Sequence, residues 1–187
     1  ELKMTPKEYL ESSGILAAPY GILAHCVWLD AETVGAVDFS RMAIAHNPNS
    51  NLKLGSGVMD LTGLGAKTKK IALGTDGAAS NNRLDIWGEM RCAALLHKGI
   101  RRDPMALSAC DALRMATFEG ASALGFKKKG LLKEGWVADL VLVDLDQPHY
   151  IGIGTENAAP FLVYAGSSAD VYATMVNGAW VYRDRVF

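Results

Sequence analysis

The sequence predicts an α/β fold, and three observations carry that prediction. Three short apolar segments, 21–24, 42–45 and 71–73, have the length and composition of buried strands. Each ends at a polar group and is followed by helical or loop sequence, which is typical of a parallel sheet with crossover connections. From residue 126 onwards, strands and turns replace this pattern, so we expect residues 126–187 to form a separate, small β-rich segment.

The composition argues against several classes of function. Half of the 187 residues are hydrophobic and the formal net charge is −1, so the chain can bury a core but has no basic surface for nucleic acid or membranes. No apolar run is long enough to span a membrane. Three widely separated cysteines in apolar sequence predict small core residues in a reducing, cytoplasmic compartment: Cys26, Cys92 and Cys110.

Helix signals mark the connections in the first half of the chain. A capping box with proline at the first helical position predicts a helix over 6–13. Asp30 can cap a weaker helix that ends near residue 39. Pro48 cannot continue a central strand, so the chain is predicted to turn there before it crosses a glycine-rich passage, 54–65.

The chain after the third strand is predicted to be mainly helical. Asn81 and Asn82 can cap the long amphipathic pattern that follows them. The predicted helices are 83–97, with Gly99 beyond it, 103–116, opened by Asp103 and Pro104, and 117–124, closed by Gly125.

The last part of the chain has the signals of strands and tight turns. A strand over 138–145 precedes a hairpin with strands 171–176 and 179–182, joined by the dipeptide Asn177-Gly178. We expect the segment 126–187 to form a small β-sandwich beside a first part, 1–125, that contains the βα units.

Polar side chains follow each of the three predicted strands: His25, His46 and Asp76. Because the C-terminal ends of parallel strands meet at one edge of the sheet, we expect these side chains to face one pocket. Asp76 lies between two glycines, where a carboxylate can bind a metal, accept a proton or do both. On spacing alone a turn explains Asp76 more simply, and a cap on the Asn-Pro turn explains His46. His97 and His149 are interpreted as structural.

Three ordered motifs resemble the metal-dependent amidohydrolase superfamily: AHCVWL at 24–29, HNPxSNxKL at 46–54 and GTDGAASNN at 74–82. Within it, they are most similar to the 5′-methylthioadenosine/S-adenosylhomocysteine deaminases. Shorter matches extend the resemblance over nearly the whole chain, at 89–96, 112–117, 135–140 and 176–178.

This resemblance implies the C-terminal part of a (β/α)8 TIM-type barrel, in which residues 1–125 supply the sixth to eighth strands. It also implies one divalent metal at the barrel mouth, usually Zn²⁺, with Fe²⁺ as the alternative. By the same resemblance, Asp76 is a metal ligand that contacts the substrate and acts as catalytic base. His25 stabilises the attacking hydroxide, and His46 has a supporting role. The other metal ligands and the glutamate that protonates the purine would precede Glu1, so we expect a longer protein with an N-terminal half.

The implied function is hydrolytic deamination of the adenine ring of 5′-methylthioadenosine or S-adenosylhomocysteine, with release of ammonia. The expected partners are a small nucleoside and the N-terminal half of the same protein, with no nucleic acid or membrane, and a homo-oligomer is left open. Two alternatives stay open: a related enzyme acting on guanine or a triazine ring, and a non-catalytic fragment that needs a partner chain. The fragment alone is expected to be inactive.

Overall fold

The first half of the chain forms a parallel sheet. The computed structural model describes residues 3–184 and 186. The strands are β1 (Gly21–Ala24), β2 (Met42–His46) and β3 (Ile71–Leu73). They pair in the order β1-β2-β3, with every pair parallel. The predicted α/β class and its three strands are therefore confirmed.

Helices connect these strands and cover the sheet. Most of the buried apolar side chains belong to one core cluster, which joins the central strand β2 to the helices that follow β3. The α-helices are α1 (Pro6–Ser12), α2 (Ala31–Ala36), α3 (Pro48–Lys53), α4 (Leu61–Gly65), α5 (Ala78–Asn81), α6 (Ile86–Arg101), α7 (Ala109–Ala116), α8 (Phe118–Ala123) and α9 (Ala158–Pro160).

The long helix α6 begins later than predicted. Asp85 caps it by accepting a hydrogen bond from the Trp87 amide at 3.0 Å. Asn81 instead ends the short helix α5, and Asn82 follows as its C-cap with a positive φ of 65°. The prediction that Asn81 and Asn82 cap the long helix is therefore wrong, because the chain inserts an extra turn before it.

Two other connections differ from the prediction. Helix α7 begins at Ala109, where the Ser108 hydroxyl caps it, and Asp103 caps only a local turn through the Met105 amide. Helix α3 begins at Pro48, which occupies the first helical turn, where a missing amide hydrogen carries little penalty. The chain thus turns at Pro48 as expected, but it does so by forming a helix.

The last part of the chain forms an antiparallel sheet of β4 (Leu140–Val143), β5 (Val171–Val176) and β6 (Ala179–Arg183), in that order. The predicted hairpin is confirmed, with positive φ at both Asn177 and Gly178, as a type I′ turn requires. The described part of this segment contains this one sheet, and residues 1, 2, 185 and 187 of the two predicted parts lie outside the described residues.

The segment between β4 and β5 packs back onto the first part of the chain. Helix α9 continues as a π-helical turn, Phe161–Ala165. The indole nitrogen of Trp87 on α6 donates a hydrogen bond to the Leu162 carbonyl at 3.0 Å. The two parts of the chain therefore share an interface.

The three cysteines differ in burial, and all are free thiols. Cys26 is buried, Cys92 is half-buried and Cys110 is exposed, so the prediction of three core cysteines is wrong for Cys110. Burial raises the pKa of the Cys26 thiol to about 12, which makes it unreactive. Among the residues that the structure describes, no helix is both long enough and apolar enough to cross a membrane.

Candidate functional site

Unusual backbone conformations mark the C-terminal ends of two strands. His25 and Cys26, directly after β1, have φ values of 66° and 49°, and Asp76, shortly after β3, has a φ of 61°. Side chains other than glycine rarely adopt this left-handed region, and such residues cluster at functional sites. These two strand ends are therefore the first candidates for a site.

The side chains of His25 and Asp76 meet at this edge of the sheet. His25 Nε2 lies 3.8 Å from Asp76 Oδ2, and 41% and 30% of the two side chains are exposed. The other ring nitrogen of His25 lies 2.8 Å from the amide oxygen of Asn51. Because that oxygen accepts, Nδ1 carries the proton, and in the neutral ring Nε2 is left with a lone pair directed toward Asp76.

The Asp76 carboxylate is held by hydrogen bonds to both of its oxygens. The Ser50 hydroxyl donates to Oδ2 at 2.6 Å, and the Gly77 amide donates to Oδ1 at 2.7 Å. The Ser50 hydroxyl, then the Gly77 amide and the Ser80 hydroxyl, lower the pKa of Asp76 to about 2. The carboxylate is therefore ionised at neutral pH, as a metal ligand or base must be.

His46, at the end of the central strand, lies in the core and is fully buried. Its Nε2 is 3.0 Å from Nε2 of His97, and its Nδ1 has no hydrogen-bond partner among the described residues. Burial, together with the nearby His97 and His25, lowers the pKa of His46 to about 3, so the ring is neutral. The structure thus brings His25 and Asp76 together and places His46 against His97, away from solvent.

Sequence reasoning did not single out the residues that support this pair. Ser50 and Asn51 lie within the motif at 46–54, and the signal that could have found them is the proline at the start of a helix. A helix that begins at Pro48 places both side chains in its first turns, beside the strand ends. The contact between His46 and His97 joins residues 51 positions apart, and no local signal predicts it.

The described residues do not form a complete metal site. They contain no group of three or more His, Cys, Asp or Glu side chains that could hold a metal ion. Asp76 offers a carboxylate oxygen and His25 an imidazole nitrogen, which are donor types that zinc accepts. Since zinc usually takes four ligands, most of the ligands of such a site would have to come from outside these residues.

Known proteins resemble this chain in sequence and fold. The sequence profile of the amidohydrolase family matches residues 1–181. The 5-methylthioadenosine/S-adenosylhomocysteine deaminase of Dictyoglomus thermophilum is 45% identical over 182 residues, which are 97% of this chain and 42% of that protein. The chain therefore spans less than half the length of this curated relative.

Two solved structures share the fold. The crystal structure of an adenosine deaminase from Xanthomonas campestris with bound zinc superposes with a TM-score of 0.89 at 33% identity. It covers 100% of this chain, which covers 42% of it. The atrazine chlorohydrolase TrzN from Arthrobacter aurescens TC1, complexed with zinc, gives a TM-score of 0.87 at 32% identity, with 98% of this chain and 40% of TrzN covered.

Proposed function

Because the chain belongs to the amidohydrolase family, we propose that it is the C-terminal part of a metal-dependent deaminase acting on 5′-methylthioadenosine or S-adenosylhomocysteine. The observation that carries the reaction type is the ionised Asp76 carboxylate held 3.8 Å from His25 at the strand ends. The relative from Dictyoglomus thermophilum, with its printed activity and its match to 97% of this chain, supports the choice of substrate.

The proposal includes the architecture of the whole protein. Residues 1–125 would supply the sixth to eighth strands of a (β/α)8 barrel, in which the outer edges of β1 and β3 pair with strands from the N-terminal half. The sheet order supports this, because β1 and β3 are the edge strands of the described parallel sheet. The segment 126–187 would contribute one sheet of a β-sandwich.

The donors that this chain provides fit part of a zinc site. Asp76 would supply one carboxylate ligand, and the N-terminal half would supply the others. When bound, the metal lowers the pKa of water from about 16 toward 7, so that hydroxide forms at neutral pH. The zinc in the two solved relatives supports Zn²⁺ over Fe²⁺.

Asp76 is the proposed base and proton carrier. Its carboxylate takes one proton from water, and the oxygen of that water forms a bond to C6 of adenine. Asp76 then returns the proton to the amino group, the C–N bond breaks, ammonia leaves and the ring keeps the oxygen. Ser50 and Gly77 hold the carboxylate in one orientation throughout, because each fixes one of its oxygens.

His25 is the proposed partner of the attacking oxygen. Its Nε2 points to the side of Asp76 where the water would lie, and Asn51 prevents the ring from turning by bonding Nδ1. A fixed imidazole at this position can hydrogen-bond the developing tetrahedral centre without reorganisation. His46 contributes only from the core, as a neutral buried ring packed beside His97.

Two alternative functions remain. The likeness to TrzN favours a triazine ring, at lower identity than the likeness to the nucleoside deaminase, and guanine is a second ring of the same chemistry. A fragment that folds with a partner and catalyses nothing is the non-enzymatic alternative. A cytoplasmic location and the oligomeric state stay predictions.

The test is ammonia release by the full-length, zinc-loaded protein. Methylthioadenosine, S-adenosylhomocysteine, guanine and an aminotriazine are compared in parallel. Turnover of the two nucleosides alone supports the proposal, and turnover of another ring moves the substrate while keeping the roles of Asp76 and His25. No turnover of any of the four, with zinc bound, would overturn the proposed function.

A further inference from the structure

The Glu89 side chain, in the first turn of α6, is a buried carboxylate with no part in the chemistry proposed above. Its two oxygens accept hydrogen bonds from two different segments. The backbone amide of Asn49 donates to Oε2 at 3.1 Å, and the side-chain amide of Asn81 donates to Oε1 at 2.6 Å. One buried group therefore joins α6 to the segment after β2 and to the segment after β3.

Both of these segments carry the candidate site. Asn49 lies in the first turn of α3, directly before Ser50, which bonds Asp76, and Asn51, which bonds His25. The Asn81 amide also donates to the Thr75 carbonyl at 2.7 Å, at the residue before Asp76. The contacts of Glu89 thus end within one residue of each side chain that fixes the candidate pair.

We propose that Glu89 is a positioning residue, which holds α3 and the Asp76 loop in register by accepting one hydrogen bond from each. Its effect on catalysis rests on the proposed function, whereas its effect on the two segments does not. A carboxylate suits this position because both partners are N–H donors and only a side chain with two acceptor oxygens satisfies both. A glutamine would satisfy one donor and present its own N–H₂ group to the other.

The test compares Glu89→Gln with wild type in the full-length, zinc-loaded protein, by hydrogen exchange and steady-state kinetics. We expect amides in 47–53 and 74–82 to exchange roughly tenfold to a hundredfold faster, because a buried bond to a charged group is lost. We expect kcat for the proposed nucleosides to fall by about tenfold or more, with KM changed much less, because the reacting groups and not the whole pocket are displaced.

Glu119→Gln is the matched control. Glu119 is also a nearly buried carboxylate on a helix, but it pairs with Arg114 at 2.7 Å and contacts neither site segment. This variant should lose global stability while leaving exchange in 47–53 and 74–82, and kcat, close to wild type. If it reproduces the effects of Glu89→Gln, the role of Glu89 is general packing and the proposal is wrong.

Asn81→Ala removes only one arm of the contact and keeps the test decisive if Glu89→Gln does not fold. It should speed exchange in 74–82 and leave 47–53 protected. Unchanged exchange in 74–82 would overturn the proposal. Because exchange is read without substrate, a wild-type protein that releases no ammonia would defeat the proposed function and leave this result valid.

Discussion

The buried pair of His46 and His97 predicts that acid destabilises the fold in a defined pH range. The pKa of His46 is lowered from 6.5 to about 3, chiefly by burial, and that of His97 is lowered for the same reason. The unfolded chain therefore binds protons near pH 6.5 that the folded chain refuses. The stabilising effect of the neutral ring is complete above pH 6.5 and is lost as the pH falls toward 3.

The size of the effect follows from these values. Between pH 7 and pH 5, protonation of His46 in the unfolded state alone lowers the free energy of unfolding by about 2 kcal/mol. His97 acts in the same direction. Aspartates and glutamates contribute little in this interval, because their ordinary pKa values are 3.8 and 4.5. The interval from pH 7 to pH 5 therefore separates the histidines from the carboxylates.

Urea unfolding followed by tryptophan fluorescence measures this effect at the two pH values. The control is His46→Gln, which keeps an amide that can pair with His97 but does not titrate. We expect the loss of stability from pH 7 to pH 5 to be smaller by about 2 kcal/mol in this variant. An equal loss in wild type and His46→Gln would refute the reasoning.

Three further predictions concern the candidate site. Asp76→Asn in the full-length protein should abolish ammonia release, because it removes the ligand charge and the base; near-normal turnover would exclude the mechanism. Ser50→Ala should raise the pKa of Asp76, because that hydroxyl is the largest cause of its lowering. The acid limb of the kcat profile should then move to higher pH, and an unmoved limb would contradict the assignment. The isolated chain should bind zinc weakly in equilibrium dialysis, since one carboxylate does not make a site; tight 1:1 binding would contradict it.

The strands were predictable because their signal is local, whereas the helix starts were not. Segments such as 71–73 are short, apolar and flanked by turn residues, and they form strands. Asn81, Asn82 and Asp85 are all good N-caps by residue type. Tertiary contacts decide among them, since Asn81 is committed to Thr75 and Glu89 and only Asp85 is left to cap α6.

The site was predictable in part for the same reason. Asp76 and His25 stand at strand ends, so topology alone brings them to one edge of the sheet. His46 also ends a strand, but its side chain enters the core, because His97 on α6 offers a partner that is distant in sequence. Only the folded chain determines which side of a strand end a side chain takes, and therefore whether it reaches the pocket.

The order of the strands explains why one helix supports both candidate catalytic side chains. His25 follows β1 and Asp76 comes shortly after β3, which are the two edge strands, and α3 follows the central strand between them. A helix in that position can reach both neighbours, and Ser50 and Asn51 are consecutive residues that point to opposite partners. The left-handed conformations of His25 and Asp76, which cost on the order of 1 kcal/mol or more each, are sustained by these bonds. Displacing α3 would therefore release both side chains together.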